Sequence, residues 1–151
     1  MENKTKALIP WEDAEKAARA LVSWLNTWTD WPAGVLDVDY EYLPEDRVGM
    51  CVSTIQAAYK TRTFISGGYR AQYQFKIIYR AAPSDNDDRL SATETLNRLA
   101  AWAEQNPEKP GLTAPAKVLQ VKRDSNAALF ATYEDGSADY QILMTMTWEV
   151  M

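Results

Sequence analysis

The sequence contains no histidine, a single cysteine and no long apolar run, and each shortage removes a class of function. Without histidine, the chain cannot carry a Ser-His-Asp or Cys-His catalytic arrangement, a histidine metal site or a histidine pH switch. The lone Cys51 cannot form a disulfide within the chain, and in a predicted strand it is expected to be a small buried residue. No segment approaches the roughly 20 apolar residues of a membrane span, so we expect a protein of the cytoplasm.

Motifs for phosphate and metal binding are missing as well. The pair Gly67-Gly68 lies before a strand and lacks the spacing and the Lys-Ser/Thr of a phosphate-binding loop. The acidic run 85–88 does not fit a calcium loop, because the positions that need Gly and Glu fall on Leu90 and Leu96. We therefore expect no catalytic residue, no cofactor, no metal and no enzyme activity.

What is present indicates one ordinary globular domain that is rich in aromatic residues. The chain has 151 residues, 46% of them hydrophobic and 25% charged, with six Trp and eight Tyr. This size predicts a single domain over residues 1–151 with a true core, and residues 1–9 are expected to be flexible. A net charge of −5 argues against nonspecific nucleic-acid binding by the whole surface, which would need a basic stripe. We expect no specific nucleic-acid partner.

The clearest element is a strand over residues 68–81. Its apolar and polar residues alternate strictly, with Ile78 as the exception, so one face is predicted to be buried and the other wet. The buried parity is Tyr69, Ala71, Tyr73, Phe75, Ile77 and Tyr79. A second strand of this kind, residues 140–150, follows a hairpin turn at Asp135-Gly136.

Two amphipathic helices supply a cover for that apolar face. The first begins at Pro10 and continues to about Trp28, and the second covers about Leu90–Gln105 with a capping box at Ser91 and Glu94. Further strands are predicted over 35–42, 48–60, 117–123 and 127–133, and no internal repeat is visible. The order α-β-β-β-α-β-β-β indicates an α+β fold in which an antiparallel sheet carries two helices on one face.

The candidate contact residues lie on the hairpin Lys60–Gly68 and on the polar face of the long strand. Phe64 and Ile65 are apolar residues at a tip that lacks a nearby core, so they either fold back on the sheet or form a contact arm for another subunit. The cations that accompany them on the tip and along the polar strand face are Arg62, Arg70, Lys76 and Arg80. Their partners are expected to be acids of a neighbouring subunit or passing DNA, or else only solvent.

Taken together, the long aromatic strand, the Trp-rich first helix and the closing hairpin that ends in Met144-Thr-Met-Thr-Trp148 resemble the small minor capsid or tail-terminator proteins of tailed phages and prophages. The resemblance covers roughly Pro10 to Val150 and depends on pattern and length. It implies an α+β virion protein, without catalytic residues, that forms a ring at the head-proximal end of the tail.

The resemblance also implies the partners. They are other copies of the chain, typically six in a ring, together with the tail tube protein and the head connector protein, at the head–tail junction of the virion and in the host cytoplasm during assembly. The alternative is a small-molecule-binding α+β domain with an aromatic-lined cavity.

Overall fold

The computed structural model describes residues 10–45 and 47–151, with side chains from Lys16 onward. The predicted flexibility of residues 1–9 therefore lies outside the described residues. The described chain forms two helices and a seven-stranded sheet. In chain order the elements are α1 (Pro10–Leu25), β1 (Asp39–Tyr40), β2 (Gly49–Thr54), β3 (Lys60–Thr63), β4 (Tyr69–Ala81), α2 (Asn86–Gln105), β5 (Ala116–Arg123), β6 (Ala128–Thr132) and β7 (Ala138–Val150).

The sheet is built around the two long strands β4 and β7, which pair antiparallel along their whole length, from Tyr69 opposite Val150 to Ala81 opposite Ala138. On the free side of β4 lie β3, next to its start, and β2, next to its end. On the free side of β7 lie β6, next to its start, and β5, next to its end. The short β1 joins β2 in parallel.

Both helices pack on one face of this sheet, as predicted. The alternating residues of β4 and β7 that face the helices are buried, and they share one continuous core with Leu21 and Leu25 of α1 and Leu96 and Leu99 of α2. The α+β class and the two-layer architecture are confirmed.

Some details differ from the prediction. The segment 48–60 is not one strand: β2 ends at Thr54, and a separate β3 begins at Lys60, so four strands precede α2 where three were predicted. The first strand is reduced to two residues and pairs in parallel. Helix α2 begins one turn earlier than predicted, because the Asp85 carboxylate accepts the Asp88 N–H at 2.9 Å and caps it, so Ser91 and Glu94 lie inside the helix.

The sheet contains an internal repeat that the sequence does not reveal. The unit β2-β3-β4 and the unit β5-β6-β7 have the same strand order, and from Cys51 and Gln120 onward their residues pair in the same way at an offset of 69 residues, as from Phe75 to Met144. Thus Val52 pairs with Ile77 in the first unit as Val121 pairs with Met146 in the second. One shift in register falls at equivalent places in the two units, between Lys60 and Arg62 and between Leu129 and Ala131. A second shift, between Val118 and Gln120 of β5, has no counterpart in β2.

The loops of the two units also correspond. The Ile55 N–H donates to Gln74 O at 2.9 Å, and the equivalent Asp124 N–H donates to Leu143 O at 2.7 Å. Phe75 and Met144 are equivalent residues and also lie directly opposite each other in the β4–β7 pair. The two units are therefore related by a local twofold axis that passes between these two residues.

Candidate functional site

The repeat presents two hairpin tips of the same construction, which we call the first tip (Lys60–Gly67) and the second tip (Leu129–Gly136). In the first, the Phe64 N–H donates to Gly68 O at 2.8 Å and the Gly67 N–H donates to Phe64 O at 3.0 Å. In the second, Tyr133 and Gly136 make the equivalent bonds, at 2.9 and 3.0 Å. Gly67 and Gly136 both have a positive φ, 96° and 90°, a conformation that glycine adopts without strain.

The two tips point away from each other at opposite ends of the sheet. The first precedes β4 and the second precedes β7, and these two 13-residue strands run antiparallel. At about 3.3 Å per residue, the bases of the tips are separated by roughly 40 Å along the strands. They also lie on opposite edges of the β4–β7 pair, so they occupy diagonally opposite corners of the sheet.

Both tips expose apolar side chains, but the charged residues of the two tips have opposite sign. In the first tip Ile65 is fully exposed, Phe64 is half-buried, and the charged residues are Lys60 and Arg62. In the second tip Leu129, Phe130 and Tyr133 are each about half exposed, and the charged residues are Glu134 and Asp135. The residues of each tip thus combine apolar surface with charge, which is cationic in the first tip and anionic in the second, although Lys76 of β4 lies beside the Phe130 ring of the second.

The first tip is held firmly at its base. A Cβ added at Gly68 would lie 2.4 Å from the Val150 carbonyl oxygen, so only glycine allows the tip to approach the end of β7 so closely. The Arg62 guanidinium lies 5.5 Å from the centroid of the Phe64 ring and makes no ion pair with a described residue. Phe64 therefore packs under Arg62, and Ile65 has no such cover.

The predicted polar face of β4 is the face without helices, and two of its cations are already paired within the chain. Arg70 binds Glu149 of β7 with a 2.5 Å contact between Nη2 and Oε2. Arg80 binds Asp139 of β7 with both carboxylate oxygens, at 2.8 and 2.9 Å. The local twofold axis exchanges these two ion pairs, since Arg70 is equivalent to Asp139 and Glu149 to Arg80.

The Arg80 pair is the more buried of the two. Arg80 Nη1 donates to the Pro44 carbonyl at 2.6 Å, and the Tyr133 hydroxyl donates to Asp139 at 2.7 Å while the Tyr133 ring lies under the guanidinium. The hydrogen bonds and charge of Asp139 raise the pKa of Arg80. This network joins the loop before β2 to the base of the second tip, and it leaves Arg80 little surface for a partner.

Lys76 lies between these pairs, and its Nζ is 5.2 Å from the centroid of the Phe130 ring. Of the six predicted contact residues, the structure thus gathers Arg62, Phe64 and Ile65 in the first tip, with Arg70 directly opposite Arg62 in the β3–β4 ladder. Lys76 and Arg80 lie farther along β4, beside the second tip.

Sequence reasoning missed the second tip as a candidate surface. The sequence predicts the Asp135-Gly136 turn, but it places the residues before the turn in an ordinary strand over 127–133. The run Leu129-Phe130 is the feature that indicates an exposed apolar residue here. Successive side chains of a regular strand point to opposite faces, so these two large apolar residues cannot both face the core of the protein.

A half-open cavity of about 650 Å³ lies on the helix side of the first unit. Its walls include Ala18 and Val22 of α1 and the connector 55–59 between β2 and β3. Arg19 is the charged residue in the lining, which contains no acid. This volume is within the range of small-molecule sites, roughly 300–1,000 Å³.

Three of the hydroxyl groups that line this cavity form a connected cluster. Thr54 Oγ1 lies 2.8 Å from the Tyr73 hydroxyl and 3.1 Å from the Tyr40 hydroxyl. Burial raises the pKa of Tyr73 to about 12, against a smaller lowering by its hydrogen bond to Thr54. A tyrosine hydroxyl is protonated at neutral pH even at its ordinary pKa, so Tyr73 can donate to a ligand oxygen.

The equivalent place in the second unit is closed by direct bonds between helix and connector. Asn97 of α2 accepts the Ala127 N–H at 3.1 Å, and Glu104 accepts from the backbone N–H and the Nε of Arg123, both at 2.9 Å. In the first unit α1 presents the short side chains of Ala18 and Val22 to this place. The cavity is thus a departure from the local symmetry.

The described residues contain neither a cluster that could hold a metal ion nor a helix that could span a membrane. No three His, Cys, Asp or Glu residues among those described are grouped to hold a metal ion. Within residues 10–45 and 47–151, no helix combines the length and the apolar character that crossing a bilayer requires.

Comparison with known proteins adds little to this geometry. No family model matches the chain, and no curated protein is similar enough in sequence to count as a relative. One solved protein, whose name is a serial label without functional words, aligns over 93% of this chain and 95% of its own, with 17% identity and a TM-score of 0.44. A likeness at this level carries no argument about function, which has to come from the surface of the chain itself.

Proposed function

We propose that the chain is a structural subunit that assembles with copies of itself into a ring, in the role of a phage or prophage tail terminator. Such a ring caps the tail tube and offers a surface to the head connector. The chain acts through its surfaces and carries out no reaction.

The observation that supports this proposal best is the full exposure of Ile65 on a tip whose base is fixed. A large apolar side chain held away from any core favours a contact with another protein. The second tip adds further exposed apolar surface at the opposite corner. Two different contact surfaces on opposite sides of one subunit are what a head-to-tail assembly requires, and such an assembly closes into a ring when the rotation between subunits allows it.

The place of the ring in a phage tail comes from the resemblance in sequence pattern. It is tested by electron microscopy of particles from a host phage or prophage in which this gene is deleted. Overlong tails without heads are the expected result. Heads and tails of normal length that fail to join would move the role to the connector, and normal infectious particles would refute the proposal.

A second candidate function, the binding of a small molecule, is favoured by the cavity beside α1. The lining combines apolar walls, several hydroxyl and amide groups and the cation of Arg19 without an acid, which suits a compact ligand with an apolar body and a carboxylate. A panel of such acids is expected to raise the thermal midpoint, because a ligand that binds only the folded state stabilises it.

The matched variants for this test use the internal repeat. Ala57→Trp fills the cavity, whereas Asn126→Trp places the same side chain at the equivalent position of the second unit. Ligand stabilisation that is lost only in Ala57→Trp supports the cavity. Equal stabilisation in both variants, or none in the wild-type protein, excludes it.

A further inference from the structure

We propose that the first tip of one copy binds the second tip of the next copy, so that the two hairpins form the head-to-tail contact of the assembly. This inference rests on the proposed function, because it assigns the surfaces through which the copies meet. It concerns Lys60–Gly67 on one side and Leu129–Gly136 on the other.

Charge is the first argument for this pairing. The first tip carries Lys60 and Arg62 and no acid, and the second carries Glu134 and Asp135 and no base. Two copies of the same tip would repel each other, whereas unlike tips attract. The Asp135 carboxylate is engaged by Ser137 within its own turn, so Glu134 is the acid that is free to meet a partner's cation among the described contacts.

Apolar complementarity is the second argument. Ile65 projects from the first tip, and Leu129, Phe130 and Tyr133 expose about half of their surface around the second. Interfaces typically place an apolar anchor among aromatic side chains and surround it with polar groups. A contact between Ile65 and the aromatic side chains of the second tip, with Arg62 and Glu134 at its edge, has that composition.

Position is the third argument. The tips lie at diagonally opposite corners, so a contact between unlike tips leaves one tip of each copy open for the next. The contact is therefore directional and propagates from copy to copy, as a ring requires. A contact between two like tips would instead close after two copies.

Charge reversal tests the pairing. Arg62→Glu leaves one cation and one acid in the first tip, and Glu134→Arg does the same in the second tip. In either variant residues 62 and 134 carry like charges, so each variant alone is expected to sediment as a monomer at concentrations where the wild-type protein associates. The double variant Arg62→Glu/Glu134→Arg restores opposite charges at positions 62 and 134 and is expected to associate. A 1:1 mixture of the two single variants is also expected to associate, because every contact joins opposite charges at positions 62 and 134 when the two variants alternate.

The control is Glu94→Arg, which changes the net charge by the same amount and sign as Glu134→Arg, at an exposed position of α2. It is expected to associate like the wild-type protein. Association of the wild-type protein that neither tip reversal weakens would overturn the tip pairing while leaving ring formation itself intact. Circular dichroism and thermal melting of every variant separate a lost contact from a lost fold.

Disulfide trapping keeps the proposal testable if association is too weak for sedimentation. The variant Ile65→Cys/Glu134→Cys is expected to give a ladder of covalent oligomers under mild oxidation, whereas either single cysteine variant gives dimers at most. Cys51 is buried and does not compete, since burial raises its pKa to about 11. A double variant that gives no more than the singles refutes the tip pairing, and the tail-length experiment then judges the proposed function independently.

Discussion

The buried pair of Arg80 and Asp139 gives the sharpest prediction about stability. Asp139 is almost fully buried, and it accepts from both Arg80 and the hydroxyl of Tyr133. Asp139→Asn keeps the size of the side chain but removes the charge that the guanidinium faces. The Pro44 carbonyl then remains as a neutral acceptor for a cation that stays buried.

The expected cost follows from that burial. Breaking a buried ion pair by removing one partner costs about 3–5 kcal/mol, because the remaining charge is left uncompensated. For a protein of this size, each kcal/mol corresponds to roughly 2–4 °C in the melting temperature. Asp139→Asn is therefore expected to lower the melting temperature by about 6–20 °C.

The local twofold axis supplies the matched control. Glu149→Gln breaks the equivalent pair with Arg70, whose side chain is 39% exposed against 15% for Arg80. Because water can solvate Arg70, the expected cost is about 1 kcal/mol or less. The double replacement Arg80→Met/Asp139→Leu is expected to recover most of the loss, since apolar residues of similar volume often replace a buried pair without a penalty.

Urea denaturation of the four proteins at neutral pH measures these differences, and the slope of the transition shows whether unfolding remains two-state. Equal losses in Asp139→Asn and Glu149→Gln would refute the reasoning, because they would mean that burial does not decide the strength of these pairs.

Two further predictions concern hydroxyl groups of the sheet. The Tyr140 hydroxyl is buried and has no hydrogen-bond partner among the described residues, so Tyr140→Phe is expected to be neutral or stabilising. Tyr133→Phe removes the bond to Asp139 and is expected to cost about 1–3 kcal/mol in the same urea assay. A larger loss of stability in Tyr140→Phe than in Tyr133→Phe would contradict this reasoning. Burial raises the pKa of Tyr73 to about 12, so the unfolded chain ionises first and the free energy of unfolding is expected to fall as the pH rises from about 10 to 12. Tyr73→Phe should flatten that fall, and an unchanged slope would show that the ionisation of Tyr73 is not responsible.

Strand β4 could be predicted because apolar and polar residues alternate along it, and this alternation indicates which side chains are buried and which face solvent. From Tyr69 to Ala81 every second side chain is buried, and the parity is the one that the sequence indicated. The break between β2 and β3 was not predictable in this way. The connector 55–59 leaves the sheet while its residues still resemble a strand, and only its hydrogen bonds to β4, such as that from Gln72 N–H to Tyr59 O at 2.8 Å, define where pairing resumes.

The internal repeat was invisible for a similar reason. Identities between residues 51–81 and 120–150 are few and include the turn glycines Gly67 and Gly136. What the two units share is the sequence of turns, bulges and buried positions, and different residues satisfy these requirements. Tyr73 and Ile142 occupy equivalent positions in the core, although one carries a hydroxyl into the cavity and the other is wholly apolar.

In the proposed assembly, the repeat explains why a difference between its two halves matters. With identical tips, the local twofold axis would give the chain two equivalent ends, and every end could bind every other end without direction. The basic first tip and the acidic second tip remove that equivalence, while the sheet between them keeps them at a fixed distance. Direction in the assembly would then come from two short hairpins, so charge reversal at Arg62 and Glu134 should alter how copies join without altering the fold that holds the tips apart.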